Sequence, residues 1–513
     1  MLVKTFGSAV SGIEAYTITI EVSITQGMKF FLVGLPDNAV KESQQRIETA
    51  IKANGWHWPG KKIVINMAPA DIRKEGSAYD LPLAIGILAA SEQVPFTSIH
   101  KYILMGELSL DGSLMPIKGA LPIALRAKEE GYEGIILPMM NAREAAIVDG
   151  LKVYGANNLS EVARFLRDGE GLEQVYVDTD LEFAKTSGVV DFDFADVKGQ
   201  ETIKRALEIA AAGGHNILLI GAPGSGKSMM AKRLSSILPP LTLEEALETT
   251  KIHSVAGKVG SGCSLVTRRP FRSPHHTISD VALVGGGTYP QPGEISLSHN
   301  GVLFLDELPE FKRSVLEVMR QPLEDRTISI SRSRFTVDYP ASFMLVASMN
   351  PCPCGYYGHP EKQCVCHPGA VRKYMGRISG PLLDRIDIHI QVVPVPFAKM
   401  AEQPTGESSL DIRKRVIAAR SIQNERYRDI EGVHCNAQMN SKLLNTYAQP
   451  DEDGRRMLKM AMERLGLSAR AYDRILRVSR TIADLDSSER VLAKHIAEAI
   501  QYRTLDRDSW GAS

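Results

Sequence analysis

The sequence predicts an α/β protein of more than one domain, and three observations carry that prediction. Short apolar runs recur between segments whose apolar residues lie three and four apart, so strands alternate with helices through most of the chain. At 513 residues the chain exceeds what one core holds, and two or three domains are expected. From about Pro396 onward only helical spacing remains, as in SLDIRKRVIAARSIQNERY and DGRRMLKMAMERLGL.

Composition narrows the function classes. Hydrophobic residues make up 44% and charged ones 23%, ordinary for a globular protein. Sixty basic residues balance sixty acidic ones, which argues against a broad basic coat and leaves room for a local basic channel. The start MLVKTFGSAVSG lacks an apolar signal core, and no uncharged apolar run of about eighteen residues occurs. A cytoplasmic protein without membrane partners is expected. Four of the six cysteines crowd between Cys352 and Cys366, a pattern for metal binding in a reducing compartment.

Residues 1–166 alternate β-like runs (AYTITIEVSI, KFFLVGL, KKIVINMAP, YILMGELSL, GIILP) with helical patterns such as AVKESQQRIETAIKANG, and form a domain of their own. Residues 167–191 are acidic, short of apolar periodicity, and expected to be a linker. A nucleotide-binding core follows over 192–395, interrupted by a cysteine-rich insert at 351–368. A helical bundle closes the chain over 396–513.

The most specific stretch is HNILLIGAPGSGKS, from His215 to Ser228. Ile217 to Ile220 read as a buried strand, and MMAKRLSSIL behind the motif reads as a helix. Between them Gly221, Ala222, Pro223, Gly224, Ser225, Gly226, Lys227 and Ser228 fit G-x-x-x-x-G-K-[ST]. The glycines let backbone N–H groups face phosphate oxygens at a helix N-terminus. Lys227 reaches the β- and γ-phosphates, and the Ser228 hydroxyl is a Mg²⁺ ligand. ATP with Mg²⁺ is the expected ligand.

GVLFLDELPEF supplies the acidic partner. Val302 to Leu305 form a strand ending in Asp306, assigned to Mg²⁺, and Glu307, assigned as base for the attacking water. The other reading is an acidic helix cap. RSVLEVMRQPLEDR is a helix by spacing. ISISRSRFTVDYPASFMLVASMN then offers two alternating strands around Arg332-Ser333-Arg334 and a longer strand ending at Asn350. Asn350 can orient the lytic water, or merely cap the turn before Pro351. Arg332 and Arg334 would project from one side of an extended run, suited to DNA phosphates or simply to solvent. In PCPCGYYGHPEKQCVCHPG, two C-x-C pairs nine residues apart offer four thiolates, Cys352, Cys354, Cys364 and Cys366, for one structural Zn²⁺. Free thiols and an iron–sulfur cluster stay open, with His359 and His367 as reserve ligands. His275 and His276 have the wrong spacing for a metal on one helix face and are read as structural or nucleotide-proximal.

Several segments resemble known families. PADIRKEGSAYDLPLAIGILAAS and MGELSLDGSLMPIKGALPIAL look like the proteolytic domain of Lon proteases, implying a Lon-like, ribosomal S5-type fold. That family needs a serine and a lysine. Matching Gly76 places Ala78 at the serine position, with Ser77 one residue away, and Leu121 at the lysine position near Lys118. A scaffold without peptidase activity is implied. DFADVKGQ resembles the adenine-flanking start of AAA+ ATPases and carries Val197 and Gly199. RRPFRSPHHTISDVALVGGGTYPQPGEISLSHNG resembles the helix-2 insert of the branch containing magnesium-chelatase motors and MCM helicases. In the MCM helicases of that branch a hairpin before sensor 1 lines the central pore and carries basic residues. The LLDRIDI and SARAYDRILRVSR segments belong to the same resemblance. It implies that Arg385 reaches a neighbouring subunit's ATP, the alternative being a salt bridge to Asp384 or Asp387. It also implies that Arg470, on the lid, is sensor 2; Arg474, Arg477 and Arg480 recur at the same helical spacing. Together these segments resemble the YifB/ComM family of magnesium-chelatase-like AAA+ ATPases. The implied activity is that of a hexameric ring helicase acting on single-stranded and branched DNA through its pore, driving branch migration in homologous recombination during natural transformation. A metal-insertion motor or a protein-remodelling ATPase are the rival readings.

Overall fold

The computed structural model describes residues 2–186, 192–260, 263–287, 290–332, 335–359, 361–395 and 406–503. The N-terminal region is built on a mixed sheet of seven strands: β1 (Leu2–Ser11), β2 (Glu14–Thr25), β3 (Phe30–Val33), β4 (Lys62–Ala68), β5 (Tyr102–Leu104), β6 (Gly134–Pro138) and β7 (Lys152–Ala156). Their order is β3-β4-β2-β1-β5-β6-β7, with β1 and β4 antiparallel to β2 and the remaining neighbours parallel. Every residue of helix α1 (Asp80–Ala90) is buried, as its nearly unbroken apolar run requires. Gly86 permits the close approach, since a Cβ there would sit 2.7 Å from Val22 Cγ2. The one charge on this helix, Asp80, is paired with Arg46 at 2.7 Å. Helix α2 (Ala120–Glu129) packs on the same core.

The stretch read as a linker holds a helix, Thr179–Thr186. Its formation has a local cause: Val177 and Phe183 pack on a small apolar cluster of Ile147, Leu241, Ala246 and Leu265, and Glu182 pairs with Arg143 at 3.1 Å.

Helix α3 (Glu201–Gly213) opens the second region and ends at Gly214 with φ 69°, the left-handed stop expected of Gly-Gly. Strand β8 (Ile217–Gly221), helix α4 (Lys227–Ile237) and helix α5 (Leu243–Val255) come next. Strand β9 (Phe271–Arg272) leads to a two-stranded hairpin, β10 (Gly285–Gly286) with β11 (Gln291–Pro292), and then to β12 (Val302–Leu305). RSVLEVMRQPLEDR, read as one helix, is two: Arg313–Val318 and Arg320–Asp325. Pro322 has no N–H for an unbroken ladder, which accounts for the break. A second hairpin, β13 (Thr327–Arg332) with β14 (Phe335–Pro340), precedes β15 (Met344–Met349), and β16 (Ile388–Val392) completes the sheet.

The five long-range strands are all parallel in the order β9-β12-β15-β8-β16. The chain direction of the order reverses at β8, so its C-terminal end is the switch point where open α/β sheets bind ligands. Helices α6 (Ser409–Tyr427), α7 (Glu452–Leu465), α8 (Ala469–Leu485) and α9 (Ala493–Gln501) form a bundle sharing one apolar core with α3 and α4. Along α8 the buried Ala471, Ile475, Val478 and Ile482 repeat at helical spacing, behind a Ser468 cap on the Ala471 N–H.

Helices α2 and α5 meet at a seam between the first two regions. The Gly119 N–H donates to the Ser254 carbonyl at 3.1 Å, and Leu247 of α5 packs on the N-terminal core. Lys118 lies along Gly257, where a Cβ would come within 3.0 Å of its Cε.

Candidate nucleotide-binding site

The loop between β8 and α4 curls through two left-handed glycines, Gly224 (φ 77°) and Gly226 (φ 92°), conformations a side chain would strain. The turn leaves the first N–H groups of α4 at the C-terminal edge of the sheet. The Ser225 hydroxyl is buried there without a hydrogen-bond partner among the described residues. Lys227 Nζ donates to the Gly221 carbonyl at 2.7 Å, the Ala222 carbonyl at 3.0 Å and Asn350 Oδ1 at 3.2 Å. Burial lowers the pKa of this ammonium, while the nearby Asp306 and Glu307 carboxylates oppose the shift.

Asp306 follows the end of β12, beside β15 and one strand removed from β8. The Ser228 hydroxyl donates to its Oδ2 at 2.7 Å, and Ser348 donates to its Oδ1. This hydroxyl–carboxylate pair is the oxygen donor set a hard cation takes, so the residues fit Mg²⁺. Glu307 sits in the left-handed region at φ 55° and ψ 50°, a strain of about 1–3 kcal/mol that is met mostly at functional sites. Its side chain is 56% exposed, and Oε2 lies 3.8 Å from His276 Nδ1. Asn350 follows β15, so Lys227, Ser228, Asp306, Glu307 and Asn350 converge on one sheet edge. Gln200 Nε2 donates to the Val393 carbonyl at 2.9 Å and the Ser225 carbonyl at 3.5 Å, stitching the segment after Val197 and Gly199 to this edge.

The cysteine-rich insert lies directly against the loop. The four Sγ atoms of Cys352, Cys354, Cys364 and Cys366 fall within 4.8 Å of one another. Individual separations of 3.3, 3.7 and 3.6 Å approach the roughly 3.8 Å expected between thiolates of a tetrahedral zinc site. Backbone N–H groups of Cys354, Tyr357 and Cys366 point at the sulfurs, as metal-bound thiolates favour. The residues present fit Zn²⁺. His359 is outside this cluster, its Nδ1 accepting from the N–H groups of Glu361 and Lys362. His367 stands at the start of a helix, Pro368–Met375, and is not in the cluster either. Gly355 packs on the loop so closely that a Cβ would sit 2.4 Å from Pro223 Cδ.

Arg385 and Arg470 are elsewhere in the same chain. Arg385 and Asp387 precede β16, and the register of Ile217 with Ile388 places them at the N-terminal edge of the sheet. The phosphate loop is at the other end, roughly 16 Å away for five residues at 3.3 Å each. Arg385 is 7% exposed and pairs with Glu324 at 2.6 Å, not with Asp384 or Asp387 as the salt-bridge reading had it. Asp384 faces Arg470, which is 58% exposed, at 3.7 Å. Asp387 is engaged by Arg474 at 2.9 Å and by His215 at 3.5 Å. Arg480 is buried on Asp484 and serves the bundle core. Arg334 and the side chain of Arg332 lie outside the described residues, although the β13–β14 hairpin that carries them is present.

In the N-terminal region the Ser77 hydroxyl donates to Glu107, and among the described residues no lysine hydrogen-bonds it. Leu121 is fully buried, its N–H held by Glu144 at 3.0 Å. Ala78 packs against the core. His276, read from the sequence as structural or nucleotide-proximal, lies 3.8 Å from Glu307, a neighbour that the sequence did not name. Its only advance signal was the HH pair itself, because the two-residue strand β9 that sets it beside Glu307 has no periodicity to read.

Three family profiles match the chain: Magnesium chelatase, subunit ChlI over residues 193–400; Subunit ChlI of Mg-chelatase over 20–141; and Magnesium chelatase, subunit ChlI C-terminal over 406–503. YifB of Salmonella typhimurium is 44% identical over 97% of this chain and 96% of its own. YifB of Escherichia coli strain K12 is likewise 44% identical, over the same shares. The competence protein ComM of Haemophilus influenzae is 43% identical over 98% of this chain and 97% of its own. Matched this closely from end to end, and carrying the phosphate loop, acidic pair and parallel sheet described above, the chain belongs to the YifB/ComM family of magnesium-chelatase-like AAA+ ATPases.

Proposed function

We propose that the chain assembles into a ring, a hexamer, and couples ATP hydrolysis to translocation along DNA, promoting branch migration during recombination of incoming single strands. The observation that carries this reading is the β13–β14 hairpin. It stands immediately before β15, the strand that delivers Asn350, so a load on the hairpin and the state of the nucleotide bear on one element. The likeness to a competence protein supports the same reading.

The residues divide the chemistry. Ser228 and Asp306 would hold Mg²⁺, which supplies charge neutralisation for the phosphates. Lys227 leaves the Gly221 and Ala222 carbonyls to reach the β- and γ-phosphates. Glu307 takes the proton of the attacking water, and Asn350 orients that water. Arg385 serves a neighbouring subunit's nucleotide once it leaves its pair with Glu324, and Arg470 acts as sensor 2. Cys352, Cys354, Cys364 and Cys366 would hold one structural Zn²⁺. Among the described residues no helix is long and apolar enough to cross a membrane.

The test is ATPase activity with single-stranded, duplex, forked and no DNA, alongside the double substitution Arg332→Ala with Arg334→Ala. The double variant keeps basal hydrolysis and assembly. It loses DNA affinity, much of the salt dependence of binding, and strand displacement. Unwinding at the parental rate removes the hairpin from the mechanism. If the parent neither binds DNA nor is stimulated by it, a metal-insertion or protein-remodelling motor takes the place of the helicase.

A further inference from the structure

We propose that the N-terminal region braces the β13–β14 hairpin: the tip of the β1–β2 ribbon backs the hairpin and, by holding it, sets how strongly DNA stimulates ATP hydrolysis. The effect on DNA stimulation rests on the reading that this hairpin grips DNA.

The tip is short and oddly apolar. Ser11 pairs with Glu14, so Gly12 and Ile13 alone make the turn, and Gly12 takes φ 64° at its first position. An isoleucine at the end of a ribbon has no strand partner of its own. Ile13 is nonetheless half-buried, and it packs on the apolar cluster of the second region, with Leu305, Ile330 and Met349. Leu305 and Met349 directly precede Asp306 and Asn350. Gly12 meets the hairpin itself. A Cβ there would sit 2.8 Å from Val337 Cγ1 of β14 and 3.7 Å from the Asp338 carbonyl oxygen.

The hairpin needs such backing, because a two-stranded ribbon is marginally stable by itself. Ile328 lies opposite Tyr339 and Ile330 opposite Val337, so these four share one apolar face, while alternate residues such as Ser331 and Thr336 are exposed. Part of that face leans on the two-residue strands β10 and β11. A Cβ on Gly285 would meet Ile330 Cδ1 at 2.7 Å, and the Tyr339 hydroxyl donates to the Pro290 carbonyl at 2.8 Å. Val337 faces the β1–β2 tip, which has an anchor of its own. Two residues before Gly12, Val10 Cγ2 lies 2.9 Å from where a Gly119 Cβ would be, and the Gly119 N–H is the donor to Ser254 of α5. The end of β1 is therefore fastened to α5 and to the hairpin at once. The hairpin cannot swing without lifting off Gly12 and Ile13.

Full-length Ile13→Ala and Ile13→Val proteins are compared with the parent. The readouts are amide hydrogen exchange over residues 327–340, melting temperature, kcat with and without a single-stranded oligonucleotide, and displacement of a forked duplex. In Ile13→Ala the hairpin exchanges about tenfold faster, the scale of losing half-buried side-chain contacts, and β15 does not. Its basal kcat stays within about twofold, while DNA stimulation and displacement per ATP fall several-fold. Ile13→Val, which keeps a branched side chain at the tip, retains most of both. Unchanged hairpin exchange in Ile13→Ala overturns the proposal. So does faster exchange spread over the whole chain with a lower melting temperature, or a parental DNA response in a variant whose hairpin has loosened. A parent that DNA does not stimulate removes the helicase reading instead, and hairpin exchange still decides whether the tip holds the ribbon.

Discussion

The packing of Gly355 on Pro223 makes the cysteine-rich insert part of the wall of the phosphate loop, and a pair of alanine substitutions isolates that contact. Gly355 and Gly358 both have left-handed backbones, at φ 85° and 71°. Alanine at either costs about 1–2 kcal/mol of backbone strain. Their surroundings differ. A Cβ at Gly355 falls 2.4 Å from Pro223 Cδ and 2.8 Å from its Cγ, whereas one at Gly358 meets only Gln391 Nε2, at 3.8 Å. The overlap at Gly355 adds about 1–3 kcal/mol of overpacking, relieved most directly by displacing the loop. If half of that falls on the nucleotide-binding conformation, ATP affinity drops about twofold to about tenfold, at 1.4 kcal/mol per decade. The assay is titration with a fluorescent ATP analogue, with melting temperature and zinc content measured on the same samples. Gly358→Ala loses stability and keeps its ATP affinity; Gly355→Ala loses both. Equal ATP affinities in the two variants would show that the contact does not reach the loop.

Other expectations follow from the same geometry. Protein purified without chelator carries about one equivalent of zinc, and Cys352→Ser, at the buried cysteine, loses it; well-folded protein without metal ends the assignment. Glu307→Gln binds ATP and does not hydrolyse it. Arg385→Ala is inactive alone, yet mixing it with Lys227→Ala returns some activity by joining intact half-sites, and if no mixture recovers, Arg385 acts within its own chain through Glu324. Arg474→Ala destabilises by about 3–5 kcal/mol in urea or thermal unfolding, because it leaves Asp387 buried with less compensation. Burial alone would raise the Asp387 carboxyl, but Arg474 and His215 outweigh it and hold the group well below the usual carboxylate range. Its folded pKa is thus depressed, so its stabilisation is present above about pH 4 and lost as pH falls further; Arg474→Ala moves acid unfolding to higher pH. A melting temperature equal to the parent's would refute the accounting for Asp387.

What was legible in the sequence is what short-range geometry dictates. The strand–loop–helix of the phosphate loop, the strand ending in Asp306, the two C-x-C pairs and the hairpin before Asn350 each need only neighbouring residues, and each is found as a local unit. Tertiary pairing is what escaped. The partner of Arg385 is Glu324, on the second half of a helix that spacing alone could not split at Pro322. Strand β1 went unread because Gly7 and Ser8 interrupt its alternation, although it pairs with β2 along its full length. Arg470 could be placed on a helix by its neighbours, but which end of the sheet that helix faces depends on how the bundle docks.

The seam between α2 and α5 bears on any attempt to dissect the molecule. Leu247 rests on the N-terminal core, and Ala246 beside it packs with Ile147 of that region. Excising the first 191 residues would uncover this apolar strip and the backbone around Ser254 at once. A deletion mutant lacking the N-terminal region would then suffer from aggregation of the remainder, and its phenotype would say nothing about what the missing region does. Substitutions on the outer face of the N-terminal sheet, away from Gly119 and Lys118, are the way to ask that question.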